Sequence, residues 1–329
     1  MTLLFSARPS IIKNENSFFL FWLFIAMGLS FVLRSTIGEV AQSDIDQYIK
    51  LMDSKSEIPY FLREFIFWFS SRYLYNLLGD GASVFIVLDF VLFCLLYKGF
   101  ALNRVAFFSS IKEVEVRYIL FGLFLFFPYV AGMHNVYRQI LALSLFLCAI
   151  GYFGNDKLYK GFVFFLIAVF VHNAIVLFFP SLLFVSNKIK YKALVVGTIL
   201  VALAIVFFEQ EIIAAYVAKA EGFKSGENIA FLYLLVLVII FSAILMVEFK
   251  ARKNSVFIGY ILMLIITYAI SAFSLTSGGA ERVAYYTFAM MFPVLAYYIE
   301  SRFKDKVTMR VVYYHFSLVP ILTIHSALI

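Results

Sequence analysis

Long apolar stretches separated by short polar segments dominate the sequence. They lack the strict alternation of a half-buried strand, so they are expected to be helices. Because a helix needs about 20 apolar residues to cross a bilayer, and fewer inside a bundle, we predict membrane-spanning helices. The clear candidates are residues 18–33, 82–97, 118–133, 139–153, 193–208, 229–247, 255–275, 283–300 and 311–329.

The basic residues predict the orientation of these spans, because short loops rich in Lys and Arg stay in the cytoplasm. The basic clusters are Arg8 and Lys13; Lys98, Arg104, Lys112 and Arg117; Lys157 and Lys160; Lys188, Lys190 and Lys192; Lys250, Arg252 and Lys253; and Arg302, Lys304, Lys306 and Arg310. With all of these clusters inside, residues 161–186 must cross twice. We therefore predict a hairpin of two short helices there, broken near His172 and Asn173.

The same parity leaves no room for residues 61–78 to cross the membrane. We predict instead an interfacial helix on the outer face, with Trp68 toward lipid and with Arg63, Glu64 and Arg72 toward water.

The predicted fold is all-α, a polytopic integral membrane protein with about 11 transmembrane helices. It forms a single transmembrane domain over residues 1–329, with the N-terminus inside, the C-terminus outside and larger outer loops at 34–81 and 209–228. A mean hydropathy of +0.94 and a hydrophobic content of 64% exclude an ordinary soluble globule. The net charge of +7 reflects cytoplasmic basic loops, and no nucleic-acid partner is expected, since no basic patch is interleaved with exposed aromatic residues.

Polar residues at three predicted outer helix ends mark the candidate chemistry. Arg138 opens the span 139–153, His172 opens the returning half of the hairpin, and Arg282 opens the span 283–300 after a Gly-Gly-Ala-Glu turn. Helix N-termini carry free N–H groups and a partial positive charge, and arginine binds phosphate oxygens through a planar fork. Two such arginines could hold a diphosphate and stabilise it as a leaving group.

If a sugar hydroxyl is to attack a substrate that carries this diphosphate, a base must accept the hydroxyl proton. Carboxylates that could serve are Asp44, Asp46, Asp53, Glu57 and Glu281. Asp89 differs from these because it lies in the middle of an apolar span, where an unpaired carboxylate is costly, so we expect it to bond a neighbouring Tyr or Arg. The alternative is a role in a proton relay. Walker A, GxGxxG, HExxH and GxSxG motifs are missing, which argues against ATP-driven transport and zinc proteolysis.

Four short motifs occur in order along the chain: Asp44-Ile45-Asp46-Gln47-Tyr48, Arg138-Gln139-Ile140-Leu141-Ala142, Phe170-Val171-His172-Asn173-Ala174 and Arg282-Val283-Ala284-Tyr285-Tyr286. They resemble the DYxxY pattern, the RQxxA helix start, the histidine-broken helix and the late arginine of the EpsG-type, Wzy-like bacterial polysaccharide polymerases. Ile45 departs from the first Tyr of DYxxY, and Asn173 stands where Ser commonly follows the histidine.

The resemblance implies a membrane glycosyltransferase that joins oligosaccharide repeat units carried on undecaprenyl diphosphate at the outer, periplasmic face of the bacterial inner membrane. The lipid diphosphate would be the leaving group. Arg138 and Arg282 would then bind the diphosphate. The catalytic candidates are Asp44, His172 and Glu281, and weaker glycan or acceptor contacts are expected at Tyr48, Tyr137, Gln139 and Arg34.

This scheme requires no metal and no cofactor, since the arginines supply the electrostatic stabilisation. The expected partners are the lipid bilayer, the lipid-linked oligosaccharide, and a chain-length regulator and a flippase of the same pathway. One alternative is a transporter or flippase for lipid-linked oligosaccharides, which predicts inverted halves and charges at mid-membrane. A membrane-bound O-acyltransferase with His172 as base is a third reading, but its acyl donor would come from the cytoplasmic side.

Overall fold

The computed structural model describes residues 15–35, 44–53, 64–108, 133, 136–186, 227–251, 255–274, 277–303 and 305–323. Within these ranges every regular element is helical, which agrees with the predicted all-α class. The helices are α1 Glu15–Ser35, α2 Asp44–Asp53, α3 Phe65–Leu78, α4 Gly81–Phe108, α5 Tyr137–Gly154, α6 Leu158–Val171, a 3-10 helix Asn173–Phe178, α7 Phe179–Val185, α8 Glu227–Ala251, α9 Ser255–Ser274, α10 Ser277–Arg302 and α11 Lys306–Thr323.

Among the described residues, three helices are long and apolar enough to cross a membrane: α4, α5 and the Ala230–Glu248 part of α8. Shorter apolar stretches lie in α1, α6 and α9 and in the segment Asn173–Val185. Large apolar side chains are exposed on α1 and α8, namely Leu20, Phe24, Phe31, Leu235, Ile239 and Met246. Apolar surfaces of this extent fit contact with lipid rather than water. The predicted spans 193–208 and, except for Met133, 118–133 lie outside the described residues.

Helices α4 and α5 pack closely side by side and run in the same direction. Gly99 lies against Leu147, and Gly151, four residues after Leu147, lies against Leu102, three residues after Gly99. Residue numbers therefore increase in the same direction along both helices. Glycine allows this approach because it has no Cβ to separate the backbones. The Asn103 side-chain amide also donates to the Leu147 carbonyl at 2.9 Å. Helix α5 is the most enclosed of the three candidate spans, with 89% of it buried.

Residues 161–186, predicted to be a hairpin of two short helices, contain short helical segments with a break at His172. Helix α6 ends at Val171, where the extended backbone of His172 (φ −155°, ψ 116°) interrupts the helical geometry. The 3-10 helix and α7 follow. His172 contacts Glu64 near the start of α5, whereas Val185 lies beside Gly154 at the end of α5. The chain therefore travels along α5 and returns.

Contacts between helix ends show which ends share one side of the bundle. Arg34, at the end of α1, bonds Asp89 in the first half of α4. His172, at the end of α6, and Arg138, at the start of α5, both contact the carboxylate of Glu64. We call this side the polar end. The first part of helix α10 also lies there, because the ring of its Tyr286 lies 6.4 Å from that of His172.

Helix α3 lies differently from the sequence prediction. Trp68 is 1% exposed and Glu64 is 4% exposed, although the sequence predicted that Trp68 faces lipid and Glu64 faces water. The reason is that Trp68 packs edge-on against the ring of Tyr48 (5.7 Å between centroids) and Glu64 pairs with Arg138 and His172. The segment 34–81, predicted to be an outer loop, thus contains two packed helices, α2 and α3. The other predicted loop, 209–228, lies outside the described residues except for the first two residues of α8.

Helix α10 begins at Ser277, earlier than the predicted start at 283. The Gly-Gly-Ala-Glu run is therefore helical rather than a turn, and Arg282 lies in the second turn. The free N–H groups of an α-helix belong to its first four residues. Arg282 can thus offer an anion the charge and fork of its side chain, but its own backbone N–H is not one of the free ones.

Candidate functional site

Glu64 joins two side chains from different helices at the polar end. One carboxylate oxygen, Oε2, accepts a hydrogen bond from Nη1 of Arg138, and the other, Oε1, pairs with Nδ1 of His172. Burial acts to raise the pKa of Glu64, but the hydrogen bond and charge of His172 and the charge of Arg138 outweigh it, so the pKa lies below its ordinary value of 4.5. The carboxylate is therefore held in its ionised form.

The guanidinium of Arg138 is enclosed by aromatic rings from α2 and α3. Its central carbon lies 4.9 Å from the ring centroid of Tyr48 and 5.3 Å from that of Trp68. Its Nε donates to the Tyr48 hydroxyl at 3.2 Å. Cation–π contacts of this kind strengthen when they are shielded from water. They fix the direction of the Arg138 side chain, which starts from the first turn of α5.

Asp44 lies where the fields of two arginines overlap. Its Oδ2 accepts a long hydrogen bond of 3.5 Å from the hydroxyl of Tyr48, one turn further along α2. Burial raises the pKa of Asp44 above its ordinary value of 3.8, against the opposing charges of Arg282 and Arg138. The pKa of Tyr48 is also raised, chiefly by burial. Positive charge from α5 and α10 therefore converges on a single partly buried carboxylate.

Arg282 differs from Arg138 in being open to its surroundings. Its side chain is exposed, and it makes no hydrogen bond or ion pair within the part of the chain that the structure describes. Its charge acts on Asp44, Glu281 and Tyr286. An exposed guanidinium without a bonded partner can receive an anion from solution or from the membrane surface.

Two buried polar atoms near this arginine have no hydrogen-bond partner among the residues that the structure describes: the hydroxyl of Tyr286 and Oε1 of Glu281. The ring of Tyr286 lies nearly parallel to that of His172, with centroids 6.4 Å apart and planes inclined by 19°. A buried polar atom without a partner costs roughly 1–3 kcal/mol. A polar ligand that bonds these atoms would remove that cost, so the site has unused capacity for hydroxyl or phosphate groups.

A second charged network is enclosed within α1, α4 and α5. Arg34 bonds Asp89 through Nε (2.9 Å) and Nη2 (3.0 Å), and the hydroxyl of Tyr137 donates to Asp89 at 2.9 Å. Ser30 donates to the same carboxylate at 2.6 Å, and Arg34 also donates to the Met133 carbonyl at 3.0 Å. The prediction that Asp89 bonds a Tyr or Arg is confirmed.

Arg34 and Tyr137, which were expected to contact the glycan, are both buried and bonded to Asp89. Gln139, also expected to contact the glycan, is 5% exposed on α5, and its Oε1 has no hydrogen-bond partner within the described ranges. A buried carboxylate in an apolar helix needs compensating charge and donors, which is why Arg34 and Tyr137 are used internally.

The remaining predicted residues come together as one cluster. Tyr48 and Asp44 of α2, Arg138 of α5 and His172 after α6 are linked through contacts, and Glu281 and Arg282 of α10 lie within electrostatic reach. Glu64 and Trp68 complete the cluster and were not predicted. Over the described ranges, no group of three or more His, Cys, Asp or Glu side chains is placed to hold a metal ion.

Among the described residues, apolar helices typical of a membrane protein occur together with a polar end that gathers two arginines, a carboxylate–histidine pair and aromatic rings, which are side chains suited to a polar, anionic ligand. The family model of the EpsG family matches residues 19–328, nearly the whole chain. The chain belongs to the EpsG family, a family of Wzy-like polymerases. No curated protein and no solved structure matches the chain. The family gives the protein a polysaccharide polymerase type of function, in agreement with the resemblance in its motifs.

Proposed function

We propose that this protein joins oligosaccharide repeat units carried on undecaprenyl diphosphate, at the outer face of the bacterial inner membrane. Family membership supports polymerisation in general. The observation that carries the diphosphate assignment is that Arg138 and Arg282, from two different helices, act on one carboxylate, Asp44. An anion placed beside Asp44 would feel both guanidinium charges.

The orientation rests on the distribution of basic residues. The described Lys and Arg residues toward the end of the bundle opposite the polar end are Lys98, Arg104, Lys157, Lys160, Arg302 and Arg310. Basic loops stay in the cytoplasm, so the end with these residues would face the cytoplasm and the polar end would face the exterior. A polymerase that uses lipid-linked repeats delivered to the outer leaflet would need its site there.

The transfer step is a displacement at the anomeric carbon of the donor sugar. The oxygen of an acceptor hydroxyl gives an electron pair to that carbon, the bond from the carbon to the diphosphate oxygen breaks, and the lipid diphosphate leaves with the bonding pair. The hydroxyl proton passes to Nε2 of His172. Arg138 and Arg282 stabilise the negative charge that develops on the departing diphosphate.

Asp44 serves in this scheme as the resting counter-ion of the two arginines. A diphosphate that enters between them would take over that role and would raise the energy of the ionised Asp44. Burial has already raised the pKa of this carboxyl group, so uptake of a proton is the expected response. Asp44 would thereby adjust its charge to the presence of the donor.

The test is polymerisation by purified protein in nanodiscs, with a lipid-diphosphate-linked repeat unit as the only substrate and no nucleotide added. Wild type is expected to yield a ladder of longer glycans. Arg138→Ala and Arg282→Ala are each expected to lower the rate by about 10²–10³-fold, the usual effect of removing one stabilising donor. Arg104→Ala, toward the opposite end of α4, is the matched control and should retain the wild-type rate.

Two results would contradict the proposal in different ways. Movement of intact lipid-linked substrate across the bilayer without a ladder would show a flippase. A ladder that persists unchanged in Arg282→Ala would show that the polymerase uses another site.

A further inference from the structure

Glu64 has no part in the transfer step as written above, yet it contacts both the proton acceptor and one diphosphate ligand. Its carboxylate pairs with His172 through one oxygen and with Arg138 through the other. It stands immediately before α3, and Trp68, one helical turn later, packs over the Arg138 guanidinium at 5.3 Å. The start of α3 therefore brings a charge and a ring to the same place.

The carboxylate decides which nitrogen of His172 carries the proton. An ionised carboxylate only accepts hydrogen bonds, so Nδ1 of His172 must be the donor. A neutral imidazole has a single N–H group, so Nε2 then keeps its lone pair. Nε2 makes no hydrogen bond to any residue that the structure describes. The ring of Tyr286 lies nearly parallel to the imidazole, with the two centroids 6.4 Å apart.

Arg138 supplies the charge that keeps Glu64 ionised while His172 is neutral. The Glu64 side chain is 5% exposed, and an isolated carboxylate at such a site would tend to take up a proton. The ion pair with Arg138 opposes this, and it does not depend on the charge of His172. A carboxylate of this kind can hold an imidazole in one tautomer without taking the proton itself, because both of its oxygens are occupied.

We propose that Glu64 is a positioning residue for glycosyl transfer, which fixes His172 with Nε2 free to accept the hydroxyl proton and fixes Arg138 toward the diphosphate. This inference rests on the proposed function, since a proton acceptor is needed only if a hydroxyl group attacks. It assigns separate consequences to the two oxygens. Loss of the contact with His172 affects kcat through proton transfer, and loss of the contact with Arg138 affects both kcat and the KM for the lipid-linked donor.

The kinetic test is a double-mutant cycle of Glu64→Gln with His172→Gln in the nanodisc polymerisation assay. Glu64→Gln alone is expected to lower kcat by about 10²–10⁴-fold, the usual contribution of general base catalysis, and to raise KM. In the His172→Gln background, the same change should lower kcat by a much smaller factor, because only the positioning of Arg138 is then lost, and should still raise KM. Glu64→Asp, which keeps the charge, should restore part of kcat.

A purely structural ion pair predicts a different pattern. Glu64→Gln would then lower kcat by the same factor in both backgrounds and would also lower the melting temperature. The kcat of Glu64→Asp would follow its melting temperature alone. Rates are compared per amount of folded protein, measured by size-exclusion chromatography and thermal unfolding. Equal kcat losses in the two backgrounds would overturn the positioning role.

The tautomer of His172 can be read directly, without activity, from the ¹⁵N chemical shifts of histidine-labelled protein at mildly alkaline pH. The chain has four His residues, and the signals of His172 are those missing in His172→Gln. Wild type should show the Nδ1-protonated form, and Glu64→Gln should shift it toward the Nε2-protonated form. An Nε2-protonated or doubly protonated His172 in wild type would overturn the inference, even if Glu64→Gln failed to fold.

The two measurements distinguish failure of this inference from failure of the proposed function. If wild type polymerises and Glu64→Gln does so with an unchanged kcat, only the role of Glu64 is wrong. If wild type makes no polymer although His172 has the expected tautomer, the proposed function fails, and the catalytic role of Glu64 fails with it.

Discussion

Removal of the Asp89 carboxylate is expected to destabilise the protein strongly, because Asp89 holds the C-terminal end of α1 against α4 and α5. The side chains of Arg34 and Asp89 are both 0% exposed, and Arg34 makes two hydrogen bonds to the carboxylate at 2.9 and 3.0 Å. In Asp89→Ala the guanidinium stays buried without its counter-charge. Breaking a buried pair in this way costs about 3–5 kcal/mol.

The magnitude can be separated from the loss of packing by a second variant. Ser30 and Tyr137 also lose their acceptor in Asp89→Ala, and hydrogen bonds to a charged group contribute about 1.5–3 kcal/mol each, although such values overlap with the ion-pair cost and do not add to it. Arg34→Met combined with Asp89→Leu removes both charges and fills the space. A neutral apolar pair is often as stable as the ion pair it replaces, so the double variant should be more stable than Asp89→Ala.

The assay is unfolding of purified protein in mixed detergent and SDS micelles, followed by far-ultraviolet circular dichroism. Asp53→Ala, which changes an exposed carboxylate, is the control and should alter the free energy of unfolding by no more than about 0.5 kcal/mol. A loss below about 1 kcal/mol in Asp89→Ala would refute the reasoning from the buried charge. So would a double variant that is as unstable as Asp89→Ala.

Three further outcomes follow from the structure. Gly151→Ala places a Cβ against the side chain and backbone of Leu102 and should cost about 1–3 kcal/mol, whereas Gly28→Ala, with no atom within 4 Å, should be neutral or stabilising; equal effects in thermal unfolding would contradict the close packing of α4 and α5. Because the pKa of Glu64 is lowered in the folded state, its ionised form stabilises the protein above about pH 4.5, and this contribution disappears as the pH falls through the folded-state pKa. The difference in the free energy of unfolding between wild type and Glu64→Gln should therefore shrink on acidification. A difference that grows would contradict the prediction. Asp44→Asn removes a negative charge beside both arginines. The affinity for a short-chain polyprenyl diphosphate, measured by titration, should therefore increase by about 2- to 10-fold, the range of a partly exposed charge interaction. Weaker binding would show that Asp44 does not compete with the anion.

The sequence predicted the helices well because apolar length and basic loops depend on the membrane rather than on details of packing. The broken hairpin is an example: Lys residues flank it on both sides, and His172 and Asn173 stand at its middle, so the return of the chain could be foreseen. The shared location of Arg138 and His172 follows from the same parity. Boundaries were less accurate, because the Gly-Gly-Ala-Glu run before Arg282 continues the helix that it was expected to precede.

The roles of Glu64 and Arg34 could not be predicted in the same way, since they depend on partners far along the chain. Glu64 stands beside an aromatic run, a pattern typical of an interfacial helix, and only the folded chain places it against Arg138 and His172. One signal was present: Arg138 is a charged residue in a largely apolar region and needs a counter-charge. Asp89 also needs a counter-charge, and the sequence predicted a Tyr or Arg partner for it without identifying Arg34.

Binding of a short-chain polyprenyl diphosphate to the purified protein tests the central claim most directly, because it isolates the anion site from the sugar chemistry. Wild type should bind the diphosphate saturably and much more tightly than the corresponding alcohol. Arg138→Ala and Arg282→Ala should each weaken binding by about tenfold or more, as expected for loss of a charged hydrogen bond of about 1.5–3 kcal/mol, while Arg104→Ala should bind as wild type does. Equal affinity of the wild type and both arginine variants for the diphosphate would contradict the account.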